Sequence, residues 1–298
     1  MEIGIIVSDR SFVTELEDLT EAIKRAGHKP LNIEIDNIVV KMKKGNLYSY
    51  QMFGSSREER LNLECAVLRH IGFIKDYEQF SQRIWSIKSI EMSGTYVANN
   101  IKAWLEASDK LGALMELSKR GLPVPDTISS ENPFAGYEAV KEFKSSVIKP
   151  LRSGAGFGIF KAEDPDVAMH IFSYFINLNK PIYVQKFLNK KNNGDYRVIV
   201  VGDEAIGAEF RTGKTWKSNV SQGAKAKAVK PDEELMEIAI KAAHAMNLDY
   251  VGVDIADTKD GYYILETNPT IAWGTFKKVT GVNPAKHIIA HVIKKARA

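Results

Sequence analysis

The chain has 298 residues, of which 44% are hydrophobic and 26% charged, a composition that excludes intrinsic disorder and suits a globular protein with a real core. At roughly 100 to 200 residues per domain, the length suggests two or three compact units. Forty-one Lys and Arg against 37 Asp and Glu leave a net charge of +4, too small a surplus to make nucleic acid the default partner, so any anion preference must be local.

The first apolar run, Ile3 to Val7, is followed by Asp9 and Arg10. It is too short for a secretory signal or a membrane span and reads as the first strand of a sheet. Up to about Ala98, strand-length apolar stretches alternate with amphipathic ones, the pattern of a doubly wound α/β unit. The spacing of Leu16, Leu19 and Ile23 predicts a helix over 14–26 that Gly27 stops, and a strand follows over 31–35. Lys43-Lys44-Gly45-Asn46 between two β-prone runs predicts a hairpin. The lone Cys65 cannot form an intramolecular disulfide and reads as a buried strand residue in a reducing, cytoplasmic protein. A helix over 77–92 and a short strand over 94–99 close the unit.

A helix over 102–119, ended by Gly121-Leu122-Pro123, opens the second stretch. Strands at 146–150 and 159–161 then bracket a Ser/Gly loop, and a helix over 165–178 and a strand over 182–187 follow. The third stretch holds strands at 195–201 and 205–211, a basic segment, a helix over 233–246, a hairpin of strands 250–256 and 262–268, and a last helix over 284–295.

The second hairpin is the most informative feature. If its turn centres near Asp260, Asp254 and Glu266 oppose each other and point to one face, which Asn268 shares two residues on. Two carboxylates and an amide oxygen make a hard-oxygen set suited to Mg²⁺. Val251, Val253, Ile255, Ile264 and Leu265 put these acids in an otherwise buried strand pair, where unpaired charge is expensive. The glycines of the loop 152–158 allow the backbone to approach an anion closely, as a lid over phosphate would. Lys149, at a strand end, and Lys110, at a helix start after Asp109, are placed to neutralise phosphate, and with the lid and the acids they suggest a nucleotide site.

From Arg211 to Lys230 there are six basic residues and no acidic one. Trp216 is the sole aromatic among them, a poor stacking platform for nucleic acid but a fair setting for a smaller anion. His287 and His291 share a helix face without a third ligand, which argues against zinc. No nucleophile elbow is present, and Cys65 has no activating histidine at a recognisable spacing.

Taken in order, these motifs resemble the ATP-grasp superfamily of carboxylate-amine ligases, and within it the RimK-like branch, over most of the chain. Ala107-Ser108-Asp109-Lys110 and Val147-Ile148-Lys149-Pro150 are similar to the segments carrying the branch's two ATP-binding lysines. Val184-Gln185-Lys186-Phe187 is similar to its adenine hinge, Gly194-Asp195-Tyr196-Arg197 to its Asp-x-Arg element, and Lys217-Ser218-Asn219 with Gln222-Gly223-Ala224 to its Arg-Ser-Asn and Gly-Gly-Ala region. Asp254, Glu266 and Asn268 match its magnesium ligands.

The resemblance implies an α/β fold in three parts, a doubly wound domain over 1–100, a lid subdomain over 101–186 and a metal-bearing subdomain over 187–298, the last two sandwiching ATP. It implies that ATP is held by Lys110, Lys149, the lid residues Ser153, Gly154, Ala155, Gly156 and Gly158, the hinge Gln185, Lys186 and Phe187, and Asp195, Lys217 and Ser218. Arg197, Arg211 and Asn219 are then expected to hold the acyl phosphate or the incoming amino acid, with Mg²⁺, or Mn²⁺ in its place.

Two departures fall where substrate should sit. Pro269-Thr270-Ile271-Ala272-Trp273-Gly274 replaces the common Ser-Pro-Gly run, and Lys217 replaces arginine. Leu68-Arg69-His70-Ile71-Gly72 and Glu78-Gln79-Phe80 resemble archaeal cofactor-tailoring members that add glutamate to tetrahydromethanopterin or a deazaflavin. The expected partners are ATP, glutamate and a carboxylate acceptor, in a cytoplasmic homo-oligomer, dimer or tetramer, with neither membrane nor nucleic acid. The alternatives are a RimK-like ligase acting on the terminus of a protein or amino-acid carrier protein, a non-catalytic ATP-binding protein, and a nucleic-acid binder.

Overall fold

The computed structural model describes residues 1–8, 13–72, 76–151 and 158–298. Strands β1 (Glu2–Val7), β2 (Lys29–Glu34), β6 (Cys65–Leu68) and β7 (Tyr96–Ala98) form a parallel sheet in the order β2-β1-β6-β7. Parallel strands are buried on both faces. Here Ile3, Ile5, Cys65 and Val67 pack on one side with α1 (Val13–Arg25), while Ile6, Ile33, Ala66 and Leu68 pack on the other with α2 (Tyr77–Met92). The predicted hairpin is β3 (Ile38–Lys43) with β4 (Asn46–Phe53), in a separate sheet that β5 (Arg57–Arg60) extends. Nothing in the sequence announces β5, because all four of its residues are charged.

The single helix expected over 102–119 is two, α3 (Ile101–Ser108) and α4 (Lys110–Lys119). Asp109 separates them with an extended backbone (φ −101°, ψ 119°), and its side chain accepts from the N–H groups of Leu111 and Gly112. An aspartate that caps a new helix outweighs the helical propensity of its neighbours.

Strands β8 (Thr127–Ser130), β9 (Ser146–Ile148), β10 (Phe160–Ala162) and β11 (Ile182–Lys186) make a four-stranded antiparallel sheet, β10-β9-β11-β8. Helices α5 (Pro133–Phe143) and α6 (Pro165–Asn177) pack on it through Ala139, Val140, Phe172 and Phe175. A Cβ at Gly136 would lie 2.8 Å from Ile182 and Phe172, so only glycine lets α5 approach this closely.

The largest sheet is antiparallel, β14-β13-β12-β15-β16, from β12 (Gly194–Val201), β13 (Glu204–Thr212), β14 (Lys225–Val229), β15 (Tyr250–Thr258) and β16 (Gly261–Asn268). One face, with Val198, Val200, Val253 and Ile264, packs against α3, α4 and α7 (Glu233–Ala245). The other is apolar only in part: Ile199, Val201 and Ile206 lie under α8 (Gly274–Thr280) and α9 (Pro284–Ala296). Beyond those helices the same face carries Asp195, Arg197, Glu209, Arg211, Asp254 and Glu266. Among the described residues no helix is long and apolar enough to cross a membrane.

The segment after β16 is tied to the N-terminal sheet's elements. The Trp273 backbone N–H donates to Glu15 (2.8 Å), its indole N–H donates to Asp18 (3.0 Å), and the Arg69 guanidinium lies 4.4 Å above its ring. Trp273 is fully buried. Trp273→Ala is therefore expected to remove roughly 3–5 kcal/mol of stability in urea unfolding; an unchanged midpoint would show that this clamp is not structural.

Candidate active site

The β15–β16 hairpin turns through Lys259 and Asp260, with Thr258 paired to Gly261. Continued without interruption, that register would set Asp254 opposite Leu265. A bulge between Asp254 and Ile255 shifts it by one, so that Glu266 opposes Asp254 and Asn268 opposes Gly252. The Asn268 amide lies 3.4 Å from Asp254 Oδ2, so the two acids and the amide share one face.

On that face two arginines are interleaved with acids. Arg197 Nε and Nη2 donate to the two oxygens of Asp254, both at 2.8 Å. Arg211 Nη2 lies 3.0 Å from Asp254 Oδ1, while its Nε and Nη2 donate to Asp195 Oδ1 at 3.0 and 2.9 Å. The other Asp195 oxygen accepts from Ser218 and Lys190. Burial alone would raise the Asp254 carboxyl pKa, but the two guanidiniums override it and bring it down to about 2. Burial opposes the charge on Arg211, yet Asp254 and Asp195 hold its pKa above the ordinary arginine value. Glu209, opposite Arg197 on β13, is 3% exposed, and among the described residues its buried Oε2 has no hydrogen-bond partner. Its carboxyl pKa is raised by burial, which Arg197 and Arg211 offset only in part.

Facing this floor is the four-stranded sheet, and a cavity between them is lined by Val147, Ile159, Phe187, Trp216 and Leu265 besides the charged groups. Lys149 is buried in its wall, 3.0 Å from Gln185 Oε1. Burial pulls its ammonium pKa down to about 8, a loss that Glu266 opposes and Lys110 reinforces. Lys110, carried to the site by the break at Asp109, lies 3.4 Å from Glu266 Oε1.

Lys217, Ser218 and Asn219 line the cavity, as do Gln185, Lys186 and Phe187. The Lys186 ammonium is turned to the exposed Asp126, however, and the backbone N–H groups of Lys186 and Phe187 donate to Asp126 and Ser145. Gly158 has φ +71°, which favours glycine, whereas Ser153, Gly154, Ala155 and Gly156 lie outside the described residues. Arg197 is not in the cavity wall; it lies behind Asp254.

The basic segment proves to be divided. Lys225 and Lys227 are exposed on the edge strand β14, where lysine discourages pairing with another chain, so only Arg211 and Lys217 of the six basic residues serve the cavity. Sequence reasoning missed Lys190, which joins Asp195 to Ser218, and Glu209, whose alternation with Arg211 was a visible signal. His291 Nε2 lies 2.8 Å from Asp249, remote from the floor. Among the described residues no three His, Cys, Asp or Glu converge on a metal position; Asn268 is needed to complete the donor set.

Residues 107–292 match the family model for the RimK-like ATP-grasp domain. The chain belongs to the RimK-like ATP-grasp family. The RimK-like chain is 29% identical to the tetrahydromethanopterin:alpha-L-glutamate ligase of Methanococcus maripaludis over all of its own length and 99% of that protein. It is 32% identical to a probable alpha-L-glutamate ligase of Vibrio atlanticus, with 71% of each covered. Its fold matches a RiPP-associated ATP-grasp ligase from Chryseobacterium gregarium, solved with ADP and a leader and core peptide, at TM-score 0.78 and 16% identity, covering 99% of this chain and 97% of that one. ATP-dependent ligation is the activity class that this membership carries.

The lowered Lys149 pKa has a testable sign. Below about pH 8 the amine is charged in folded and unfolded chain alike, and between about 8 and 10.5 only the unfolded chain keeps its proton, so stability from this group rises with pH. Lys149→Met is expected to be more stable than the wild type at pH 7, with the gap closing by on the order of 3 kcal/mol towards pH 10.5. A gap that does not change with pH would contradict the buried ammonium.

Proposed function

We propose that this protein joins an amino acid, L-glutamate, to the carboxylate of a cofactor acceptor, with ATP consumed to ADP and phosphate through an acyl phosphate. One observation carries the reading: two acids and an amide share one face of a sheet, with the buried Lys110 beside Glu266 and the buried Lys149 in the wall of the adjoining cavity. This is a donor set of hard oxygens beside cations that suit phosphate. The full-length likeness to a tetrahydromethanopterin:alpha-L-glutamate ligase supports both the amino acid and the class of acceptor.

In this reading the chain works as three units, 1–100, 101–186 and 187–298, and ATP occupies the cavity between the second and third. Asp254, Glu266 and Asn268 would hold Mg²⁺, with Mn²⁺ as a substitute, and the ion would neutralise charge on the transferring phosphoryl group. Lys110 and Lys149 bind phosphate oxygens; their ammonium groups face Glu266 and Gln185 until the nucleotide arrives. Apolar contact from Val147, Ile159 and Leu265 suits a flat base.

Arg211, fixed by Asp195, presents a positive charge that needs no reorganisation during reaction, and Asn219 offers a neutral donor beside it. An acyl phosphate hydrolyses readily, so water must be kept from it until the amine attacks. No protein nucleophile takes part.

With ATP, Mg²⁺, L-glutamate and tetrahydromethanopterin, the protein is expected to release ADP only when acceptor and amino acid are both present, and to raise the acceptor's mass by one glutamyl residue. Glu266→Gln is expected to lower that rate on the order of 100-fold or more. Full activity of the variant would refute the metal assignment, and a product with any other mass would refute the substrates.

A further inference from the structure

Arg197 stands between two carboxylates. On β12 it lies directly opposite Asp254 of β15 on one side and directly opposite Glu209 of β13 on the other. Residues opposed in this way share a sheet face and are within side-chain reach. The guanidinium gives both Nε and Nη2 to Asp254, and among the described residues it makes no other hydrogen bond. Glu209 Oε2 is buried and, among the described residues, accepts none. A buried carboxylate oxygen without a donor is costly, and its presence in a native fold calls for an explanation.

The metal reading of the proposed function, on which this inference rests, creates a conflict at Asp254. Its two oxygens already accept from Arg197, from Arg211 and from the amide of Asn268. The same lone pairs cannot serve a divalent cation as well. Arg211 can release Asp254 and keep Asp195, which it holds through two nitrogens. Arg197 has no such second acid in its present position, and a half-buried guanidinium stripped of its only carboxylate would destabilise the loaded state.

We propose that Glu209 is a positioning residue that takes over the Arg197 guanidinium when Asp254 turns to the metal. The unpartnered oxygen of Glu209 is then the second half of a two-state pair: Arg197 on Asp254 in one state, Arg197 on Glu209 when Asp254 binds the ion. The exchange keeps Arg197 ordered at the back of the site while Asp254 becomes a ligand. Glu209 acts on the metal through Arg197 and touches neither nucleotide nor substrate.

Calorimetric titration of the full-length chain with ADP, in Mg²⁺ and again in EDTA, tests this. Outer-shell partners of metal ligands are worth tenfold or more in metal affinity. Glu209→Gln is therefore expected to weaken ADP binding about tenfold in Mg²⁺ and to leave it unchanged in EDTA. Glu209→Asp should recover part of the loss. In an Arg197→Gln background, adding Glu209→Gln should change the Mg²⁺ value less than twofold, because the partner to be received is gone. The ligand-free Glu209→Gln protein should melt no lower than wild type, since an amide replaces an unpartnered buried acid.

Equal weakening in Mg²⁺ and EDTA, or a loss that persists without Arg197, would overturn the exchange and leave Glu209 a merely structural residue. A wild type that binds ADP equally well in Mg²⁺ and EDTA would instead remove the metal reading beneath it.

Discussion

A guanidinium is costly to bury unless its charge and N–H groups find partners, and the large sheet meets that constraint by setting Arg197 and Arg211 among Asp195 and Asp254 on three adjacent strands. The rest of the site follows from this row of ions. It keeps the floor of the cavity polar at a place where a sheet face would otherwise be covered by helices, and it holds Asp254 ionised far below neutrality. It also fixes the spacing between the acids of the β15–β16 hairpin and the cations around them. A bulge of one residue at Leu265 completes the arrangement, because without it Glu266 would point away from Asp254.

The N-terminal sheet supports the site from behind. The segment after Asn268 is gripped on several sides. Trp104 donates to Thr270, Arg69 donates to the Ile271 carbonyl, and Glu15 and Asp18 hold Trp273. Asn99 adds contacts to the Tyr250 and Pro269 carbonyls. With partners from α1, α3 and the residue just after β6, the backbone leaving the candidate metal ligands is held by packing and hydrogen bonds rather than left to a flexible turn.

Much of this was legible in the residues themselves, because periodicity reports burial. The alternation of Val251, Val253 and Ile255 with Asp254 marked a strand with one charged face, and Leu235, Ala239 and Ala242 marked the buried stripe of α7. What stayed hidden lacks that signal. β5 is all charge, and β14, Lys-Ala-Lys-Ala-Val, looks like a basic loop because edge strands carry lysine to discourage pairing. The division of the helix at Asp109 is written as an N-cap, but only tertiary context decides whether such a residue interrupts a helical run. Glu209 alternates with Arg211 in plain view, yet its isolation depends on what Arg197 chooses to bind, and that is set by a partner 57 residues away. The bulge at Leu265 has no sequence mark at all.

In the proposed function the hairpin's two acids and amide seat a divalent cation next to the nucleotide. A crystal structure of the protein with ADP and Mg²⁺ addresses it directly. The expected result is an ion coordinated by oxygens of Asp254, Glu266 and Asn268 at about 2.0–2.1 Å, with nucleotide phosphate in its remaining shell. An ion bound elsewhere, or ADP seated away from this face of the sheet, would contradict it.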